Sequence, residues 1–282
     1  MKPYFIIGDS STDLSPELEK QLPIAFAPLT ITIDNKDYFD DQTLNLREMI
    51  DHMKNSKNSP KTACPSPDQY YRAIKDADAS VTFIVTLSSA LSGSYNSACI
   101  SRDMYMDEFP DRTVYVVDSK SASSGQGLLT TTIHELMEQG MEPPKVYEAI
   151  QDVVSRLQTI FVLERLDNLR KNGRLGLIAS AIVTILSIKL ILGATENGEI
   201  KMINRAKGIK KALSTMVDQI VEDLNGRTGE RLYIAHCLNE ERAKEVYDEV
   251  KAKCQFKDIQ IVPMRGLSGN YADEGGIVIG YY

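Results

Sequence analysis

The segment Val-Thr-Phe-Ile-Val-Thr-Leu at residues 81–87, followed by Ser-Ser-Ala-Leu-Ser-Gly-Ser at residues 88–94, decides the fold class. Its first part is a nearly continuous apolar run, which is typical of a parallel β-strand buried on both faces. A loop of small hydroxyl residues follows, and then a helix predicted from Ser94 to about Glu108. The same order of strand, loop and helix recurs after Tyr4–Gly8 and after Val114–Val117. This alternation predicts an α/β fold with a parallel sheet and right-handed crossovers.

These three predicted strands each end in a loop rich in hydroxyl groups. The loops are Gly8-Asp9-Ser10-Ser11-Thr12, Ser88–Gly93 and Asp118-Ser119-Lys120-Ser121. Loops at the carboxyl ends of parallel strands converge at one edge of the sheet, where ligands bind. Each loop also precedes a helix, whose free N–H groups favour an anion. We therefore predict an anion or carboxylate site at this edge; the alternative is that Ser and Asp act only as helix N-caps.

The second half of the chain has a different pattern, so we predict a domain boundary near residue 158. A parallel-sheet α/β domain would occupy residues 1–158 and a mixed α/β domain residues 159–282. The apolar stretch Leu177–Leu192, about 16 residues long, is too short to cross a bilayer and predicts a buried helix running into a strand. The other predicted elements are a strand at Ala25–Ile33, a loop at Pro60–Pro67, helices at Leu46–Lys54, Asp68–Ala77, Glu164–Arg174, Lys207–Leu224 and Glu240–Lys253, a hairpin at Lys189–Ala194 and Glu199–Ile203, and strands at Leu232–Ala235, Ile259–Pro263 and Ile277–Ile279.

The composition is that of an ordinary globular protein. The 282 residues are 43% hydrophobic and 25% charged, and the net charge is −7. Disordered, collagen-like and coiled-coil chains are therefore excluded, and without a long basic tract we expect no nucleic-acid binding. The four cysteines are isolated and the three histidines lack metal-ligand spacing, so no metal site is predicted. Because the N-terminal apolar run is too short for a signal peptide, we expect a cytoplasmic protein.

One enzymatic interpretation starts from Gly8-Asp9-Ser10, which resembles the first block of the GDSL-type serine esterases. Ser10 would be the nucleophile and would need a general base within hydrogen-bond reach. The late histidine, His236, has Tyr233 rather than an aspartate three positions before it, and no Gly-x-Asn-Asp block is present. The chain also lacks the nucleotide-binding motifs Gly-x-x-x-x-Gly-Lys-Ser/Thr and Gly-x-Gly-x-x-Gly. No helix is predicted after the glycines between Gly266 and Gly276. We keep an esterase only as an alternative and predict no nucleotide site.

Several segments, in the same order along the chain, resemble the DegV family. They are Asp9–Leu14, Lys61–Ser66, Thr86–Ala98, Val117–Ser119, Leu166–Gly176, Ile188–Lys189, Arg205–Gly208 and Ile234–His236. The Ser-Ser-x-Leu-Ser-Gly block at residues 88–93 is the most specific of them, and the set spans nearly the whole chain. The resemblance implies a two-domain α/β fold in which a lipid lies between a parallel-sheet first domain and a mixed-sheet second domain.

The resemblance also implies a function. DegV proteins are similar to fatty-acid-binding subunits, which hold a long-chain fatty acid with its carboxylate at the strand ends and its tail in an apolar tunnel. Such a subunit is not an enzyme and needs no cofactor. It presents the fatty acid to a separate ATP-binding fatty acid kinase subunit and has at most transient contact with a membrane. The alternative is a carrier or sensor of a different amphiphile.

The resemblance assigns the carboxylate to the hydroxyls of Thr62 and Ser92, with the Gly93 N–H as a further donor. Asp273 stands where the family has a histidine, and an ionised aspartate there would repel a carboxylate. Either Asp273 turns away and Tyr271 or Asn270 donates instead, or the ligand has a different head group. The further ligand contacts that we expect are Ser10, Ser89, Ser119, Tyr271 and Asp273.

Two arginines, Arg174 and Arg205, match family arginines near the tunnel mouth. The resemblance implies that they attract a phosphate or the acidic surface of a partner, because a guanidinium binds both. The alternative is that both are solvated surface charges.

Overall fold

The computed structural model describes residues 2–176, 178 and 187–282, and strands and helices alternate along most of this part of the chain. The strands are β1 (Lys2–Asp9), β2 (Ile24–Ala27), β3 (Thr30–Ile33), β4 (Lys36–Phe39), β5 (Lys61–Ala63), β6 (Ala79–Thr86), β7 (Thr113–Asp118), β8 (Gln158–Val162), β9 (Ile188–Ala194), β10 (Ile200–Lys207), β11 (Gly229–His236), β12 (Phe256–Pro263) and β13 (Ile277–Tyr281). The helices are α1 (Pro16–Gln21), α2 (Leu46–Asn55), α3 (Pro67–Ala77), α4 (Ser94–Glu108), α5 (Ser124–Glu138), α6 (Pro143–Arg156), α7 (Asp167–Lys171), α8 (Ile209–Leu224), α9 (Glu240–Lys253) and α10 (Gly266–Ala272).

A parallel sheet in the first half of the chain confirms the prediction made from the strand–loop–helix repeats. Its strand order is β2-β1-β6-β7, and every pairing is parallel. Ile6 and Ile7 are neighbours on β1 and point to opposite faces, yet neither has exposed surface. Ile6 packs with residues of α5 and α6, and Ile7 packs with residues of α3 and α4. Helices on both faces therefore explain the continuous apolar runs of β1 and β6.

A mixed sheet in the second half is also as predicted. Its strand order is β10-β9-β8-β13-β11-β12, with β11 and β12 parallel and the other neighbours antiparallel. The predicted amphipathic helix is α8, whose apolar stripe, including Met216 and Ile220, packs on one face of this sheet. The predicted hairpin is β9 and β10. The helix expected at the start of the apolar stretch falls on residues 177 and 179–186, which lie outside the described residues, and the following strand begins at Ile188. The boundary near residue 158 stays a prediction.

A small antiparallel sheet, β4-β3-β5, was not predicted. The single strand expected at Ala25–Ile33 is two strands, because Pro28 lies between β2 and β3 and cannot donate to a ladder. The loop expected at Pro60–Pro67 contains β5, in which Thr62 pairs with Ile31 of β3. Ile31 packs in one core with Phe161 of the mixed sheet. The small sheet therefore joins residues from the first half of the chain to the second-half sheet.

Two helix predictions in the second half were wrong. The charge-rich helix expected at Glu164–Arg174 is shorter and covers only α7. The late glycines belong partly to a helix, since Gly266 and Gly269 lie in α10. A side chain at Gly269 would come within 2.8 Å of Leu46, so its glycine lets α10 pack closely on α2. Among the described residues, no helix is both long enough and apolar enough to cross a bilayer.

Helix α5 lies between the two large sheets and packs unusually closely on β13. Its residues from Ser124 to Ile133 are all buried. A Cβ atom built on Gly280 of β13 would lie 2.7 Å from the Gly125 Cα of α5, a distance that real Cβ atoms do not reach. A hydrogen bond of 3.1 Å from the Ser124 hydroxyl to the Val278 carbonyl joins the same two elements. The contact between α5 and β13 thus requires glycine at position 280.

We expect Gly280→Ala to lower the free energy of unfolding by about 1–3 kcal/mol, because the added methyl group forces α5 away from β13. Chemical denaturation measures the change. Gly140→Asn is the control, since Gly140 has φ +78° with no heavy atom near its Cβ position, and asparagine adopts left-handed φ readily. Equal stabilities of Gly280→Ala and wild type would contradict the close contact.

Three buried carboxylates hold the loops at the edge of the parallel sheet. Asp9 accepts a hydrogen bond from the Leu87 N–H, and Asp13 accepts one from the Arg265 N–H. Asp40 accepts from the N–H groups of Gly266 and Leu267, at the start of α10. Burial raises the pKa of Asp9 to about 6 and that of Asp13 to about 7, and it also raises the pKa of Asp40, because a low-dielectric interior penalises the ionised form.

We expect the stability of wild type relative to Asp13→Asn to fall as the pH rises from 4 to 8. In the folded state Asp13 keeps its proton up to about pH 7, whereas the unfolded chain loses it near pH 4, so ionisation favours unfolding within this window. The difference between the folded and unfolded pKa of Asp13 corresponds to a change in the free energy of unfolding on the order of 4 kcal/mol. Denaturation curves at several pH values give the difference in the free energy of unfolding between wild type and Asp13→Asn. A difference that does not change with pH would show that Asp13 titrates normally.

Candidate functional site

A cavity of about 350 Å³ lies where the parallel sheet, the small sheet, the mixed sheet and α10 meet. Most of its wall is apolar, because the strands that enclose it turn large side chains towards one another. The apolar lining includes Leu29, Leu87, Phe161, Leu163, Leu169 and Val278. An enclosed apolar cavity with a few convergent polar groups is the usual form of a small-molecule site.

One group of hydroxyls in the cavity wall comes from β5 and α10. Thr62 Oγ1 and Tyr271 Oη are 2.9 Å apart, and both residues line the cavity. Burial raises the pKa of Tyr271, while the hydrogen bond with Thr62 and the nearby charge of Arg174 oppose this rise. The Tyr271 hydroxyl therefore stays protonated at neutral pH and can donate a hydrogen bond.

Ser92 and Gly93 supply a second polar group of the lining, at the start of α4. Gly93 is the N-cap of α4 and has no side chain to satisfy the free N–H groups of the first turn. The Ser92 hydroxyl accepts a hydrogen bond of 3.2 Å from the Ser94 N–H. Cys64 crowds Gly93, because its sulfur would lie 3.1 Å from a Cβ atom at that position. Free N–H groups at a helix N-terminus, beside a serine hydroxyl, are suited to a carboxylate.

Three of the predicted serines are placed outside the lining and bond to the protein itself. Ser10 is buried and its hydroxyl accepts from the Leu29 N–H at 3.0 Å. Ser119 is buried and donates to the Ser121 carbonyl, and the exposed Ser89 donates to the Asp118 carboxylate. The expectation that all three contact the ligand does not fit these positions. The physical reason is that these hydroxyls fasten the loops to neighbouring backbone and side chains.

The position of Ser10 also bears on the esterase alternative. Its hydroxyl is bonded to the Leu29 N–H and lies outside the cavity lining. His236 Nδ1, which would have to act as the base, accepts a hydrogen bond of 3.3 Å from the Asn239 N–H. The described residues therefore do not bring Ser10 and His236 together as a nucleophile and its base.

Asp273 is buried at the end of α10 and does not line the cavity. It has φ +56°, and its Oδ1 accepts a hydrogen bond of 2.7 Å from the N–H of Glu274. The carboxylate is thus used by the turn that ends α10. Asn270, the other suggested donor, is fully buried and also lies outside the lining, whereas Tyr271 lies within it.

The two predicted docking arginines lie in different places. Arg174 is exposed and lines the cavity, and its Nη1 donates to the Asn172 carbonyl at 3.0 Å. Arg205 is exposed on β10, the edge strand of the mixed sheet, outside the lining. Arg174 therefore contributes to the cavity as well as to the surface, which the sequence pattern did not distinguish.

Sequence reasoning missed the contribution of the β9–β10 hairpin to the cavity. Gly198 and Glu199, at its turn, line the cavity, and the Ser88 hydroxyl donates to the Gly198 carbonyl at 2.8 Å. Gly198 has φ +79°, and a Cβ atom there would collide with Ser88 and Lys120. The glycine in this turn predicted the hairpin itself. No pattern in the local sequence predicted that the turn packs against Ser88 and Lys120. Within the described parts of the chain, no group of His, Cys, Asp and Glu side chains forms a metal site.

Solved structures with the same fold carry fatty acids. A DegV family protein of Ruminococcus gnavus, in a structure containing vaccenic acid, is 37% identical, with a TM-score of 0.94 and coverage of 99% of this chain and 100% of that chain. The Fatty Acid Kinase (Fak) B3 protein of Streptococcus pneumoniae, loaded with linoleic acid, is 33% identical, with a TM-score of 0.89 and coverage of 100% and 99%.

Relatives by sequence agree with these structures. A DegV domain-containing protein of Streptococcus pneumoniae is 34% identical over 283 residues, which cover 98% of each chain. The sequence profile of the DegV family matches residues 4–282. The chain therefore belongs to the DegV family.

Proposed function

We propose that this protein binds a long-chain fatty acid and presents it to a separate ATP-dependent fatty acid kinase subunit, without itself catalysing the phosphorylation. The carboxylate would lie between the Thr62–Tyr271 hydroxyl pair and the Ser92–Gly93 segment, and the tail would fill the apolar part of the cavity. The observation that carries the proposal is this placing of a few hydrogen-bond donors in the wall of a cavity that is otherwise largely apolar.

The polar groups would fix the orientation of the head group. Within the Thr62–Tyr271 pair one hydroxyl hydrogen is used between the two oxygens, which leaves one for the ligand, and the Ser92 hydroxyl and the Gly93 N–H are further donors. Hydrogen bonds to a charged acceptor contribute about 1.5–3 kcal/mol each. Asp273 does not oppose this arrangement, because its carboxylate bonds to the Glu274 N–H and lies outside the cavity lining.

The acyl tail would supply most of the binding energy. At about 0.8 kcal/mol for each buried CH₂ group, a chain of roughly 14 methylenes gives on the order of 11 kcal/mol before the costs of association. The apolar wall built from β8, α7, α10 and Leu29 suits such a chain. The two related structures with vaccenic and linoleic acid support a ligand of this class.

A concentration of positive charge supports docking on an acidic partner surface. Residues 165–211 contain ten Lys and Arg against three Asp and Glu, a net charge of +7, although the whole chain carries −7. We call this segment the basic segment. It includes Arg174 at the cavity and Arg205 on the exposed edge strand. Charge complementarity of this kind mainly raises the association rate and sets orientation.

A carrier of an amphiphile with an uncharged head group is the second candidate. It is favoured by one observation, which is that the side-chain donors of the two polar groups are the neutral hydroxyls of Thr62, Ser92 and Tyr271. Neutral donors accept a carbonyl or hydroxyl oxygen as readily as a carboxylate, so the two candidates differ in their preference for a charged ligand.

We expect Thr62→Val and Ser92→Ala each to weaken binding of a long-chain fatty acid by about 1–3 kcal/mol, a factor of roughly 5 to 150, because each removes one donor to a buried anion. The methyl ester should bind both variants almost as well as wild type. Isothermal titration calorimetry measures the affinities. Ser119→Ala is the matched control, since this buried serine lies outside the cavity lining. If neither variant discriminates between acid and ester, the head group lies elsewhere.

We expect the double change Arg174→Ala and Arg205→Ala to leave bound fatty acid in place but to slow acyl phosphate formation by a purified fatty acid kinase subunit, because the basic segment attracts that partner. The matched control changes two exposed lysines outside the segment, Lys75 and Lys251, to Ala. Lipid content by mass spectrometry is compared with the rate per loaded protein. Loss of lipid with an unchanged rate per loaded protein would rule out the docking role.

A further inference from the structure

Asp9 is a fully buried carboxylate that bonds to Leu87, the residue just before the loop that carries Ser92 and Gly93. It has no exposed surface and does not line the cavity, so it is not one of the proposed ligand contacts. An ionisable group is costly to bury, and its burial is offset only when its oxygens are well bonded. The hydrogen bonds that Asp9 accepts therefore indicate its role.

Asp9 interacts with the residues on both sides of the head-group loop, by which we mean residues 88–93. At the first end, the Leu87 N–H donates to Asp9 Oδ2 at 2.8 Å. At the other end, the Ser94 hydroxyl is among the groups whose hydrogen bonds lower the pKa of Asp9 against the effect of burial. The same carboxylate also accepts from the Ser11 N–H at 3.2 Å and from the Gln126 side chain at 3.0 Å.

The structure of the loop passes this constraint on to Ser92. The Ser88 carbonyl, next to Leu87, accepts from the Ser92 N–H at 3.1 Å. The Ser94 N–H in turn donates to the Ser92 hydroxyl oxygen at 3.2 Å. Ser92 is thus bonded to Ser88, the neighbour of Leu87, and to Ser94. The Ser88 N–H also bonds to the Ser121 carbonyl at 2.8 Å, so the loop keeps one anchor without Asp9.

Resting on the proposed function, we infer that Asp9 is a positioning residue for the carboxylate of the ligand. It fixes the Ser92 hydroxyl and the Gly93 N–H in place without touching the ligand. Thr62 and Tyr271 are held by other elements, β5 and α10, and do not depend on Asp9. The two groups of donors should therefore respond differently when Asp9 is changed.

Asp9→Asn tests this inference, because it keeps the shape of the side chain but replaces one carboxylate oxygen with an NH₂ group. That group cannot accept a hydrogen bond from the N–H that now bonds to the oxygen. We expect the affinity for palmitic acid to fall five- to twentyfold and that for methyl palmitate to change less than twofold. When Asp9→Asn is added to the Ser92→Ala variant, the further loss of affinity for palmitic acid should be less than twofold. When Asp9→Asn is added to the Thr62→Val variant, the further loss should again be five- to twentyfold. Such a double-mutant cycle separates coupled from independent residues.

Ile6→Val is the control for a loss of stability alone, since Ile6 is a fully buried residue of the same strand. This substitution should leave the ratio of acid to ester affinity unchanged. If Asp9→Asn fails to fold, Gln126→Leu removes the side-chain donor to Asp9 Oδ1 and should show the same coupling to Ser92, with which Gln126 makes no hydrogen bond. Equal effects of Asp9→Asn in both backgrounds, or equal losses for acid and ester, would overturn the positioning role.

The same measurements separate this inference from the proposed function. If Ser92→Ala and Thr62→Val weaken acid binding but Asp9→Asn does not, the positioning role fails and the proposed head-group site stands. If wild type binds palmitic acid and methyl palmitate equally, the head-group site itself is wrong, and the role of Asp9 fails with it.

Discussion

The close contact of α5 with β13 and with the loop after β1 is the constraint on which the rest of the structure depends. Gly125 meets Gly280 of the mixed sheet, and a side chain at Gly127 would collide with the Asp13 carbonyl of the parallel-sheet loop. One helix thereby fixes the distance between two sheets that come from different halves of the chain. Because packed interiors do not deform continuously, the two sheets that border the cavity keep a fixed separation.

The hydroxyl-rich loops divide their side chains between holding the structure and lining the cavity. The sequence predicted correctly that several such loops meet at the carboxyl edge of the parallel sheet, because parallel strands must all end there. It could not predict which hydroxyls face the cavity. Ser10, Ser89 and Ser119 bond to neighbouring groups of the protein, whereas Ser92 lines the cavity. That division depends on which backbone groups lie nearby in three dimensions, which one-dimensional spacing does not contain.

The fold class and the large sheets could be predicted because their signals are local. The apolar run of β6 and the helical period of α8 each lie within one segment and reflect burial of that segment. The strand β5 and the helix α10 gave no such signal. β5 has only three residues and forms by pairing with β3, and α10 contains glycines that disfavour a helix until α2 packs against them. These two elements carry Thr62 and Tyr271, so the part of the site that sequence could not place is the part made by long-range pairing.

The buried carboxylates Asp9 and Asp40 bond to backbone N–H groups near the cavity and do not line it. Asp9 bonds to the strand end before the loop that carries Ser92, and Asp40 bonds to the first N–H groups of the helix that carries Tyr271. Both spend their oxygens on N–H groups of the protein, and neither lines the cavity. The wall near Thr62, Ser92 and Tyr271 therefore presents hydroxyl groups, and the carboxylate of the lining, Glu199, comes from the β9–β10 turn. In a chain of net charge −7, hydrogen bonds from N–H groups of the protein thus favour the ionised forms of Asp9 and Asp40 against the cost of burial.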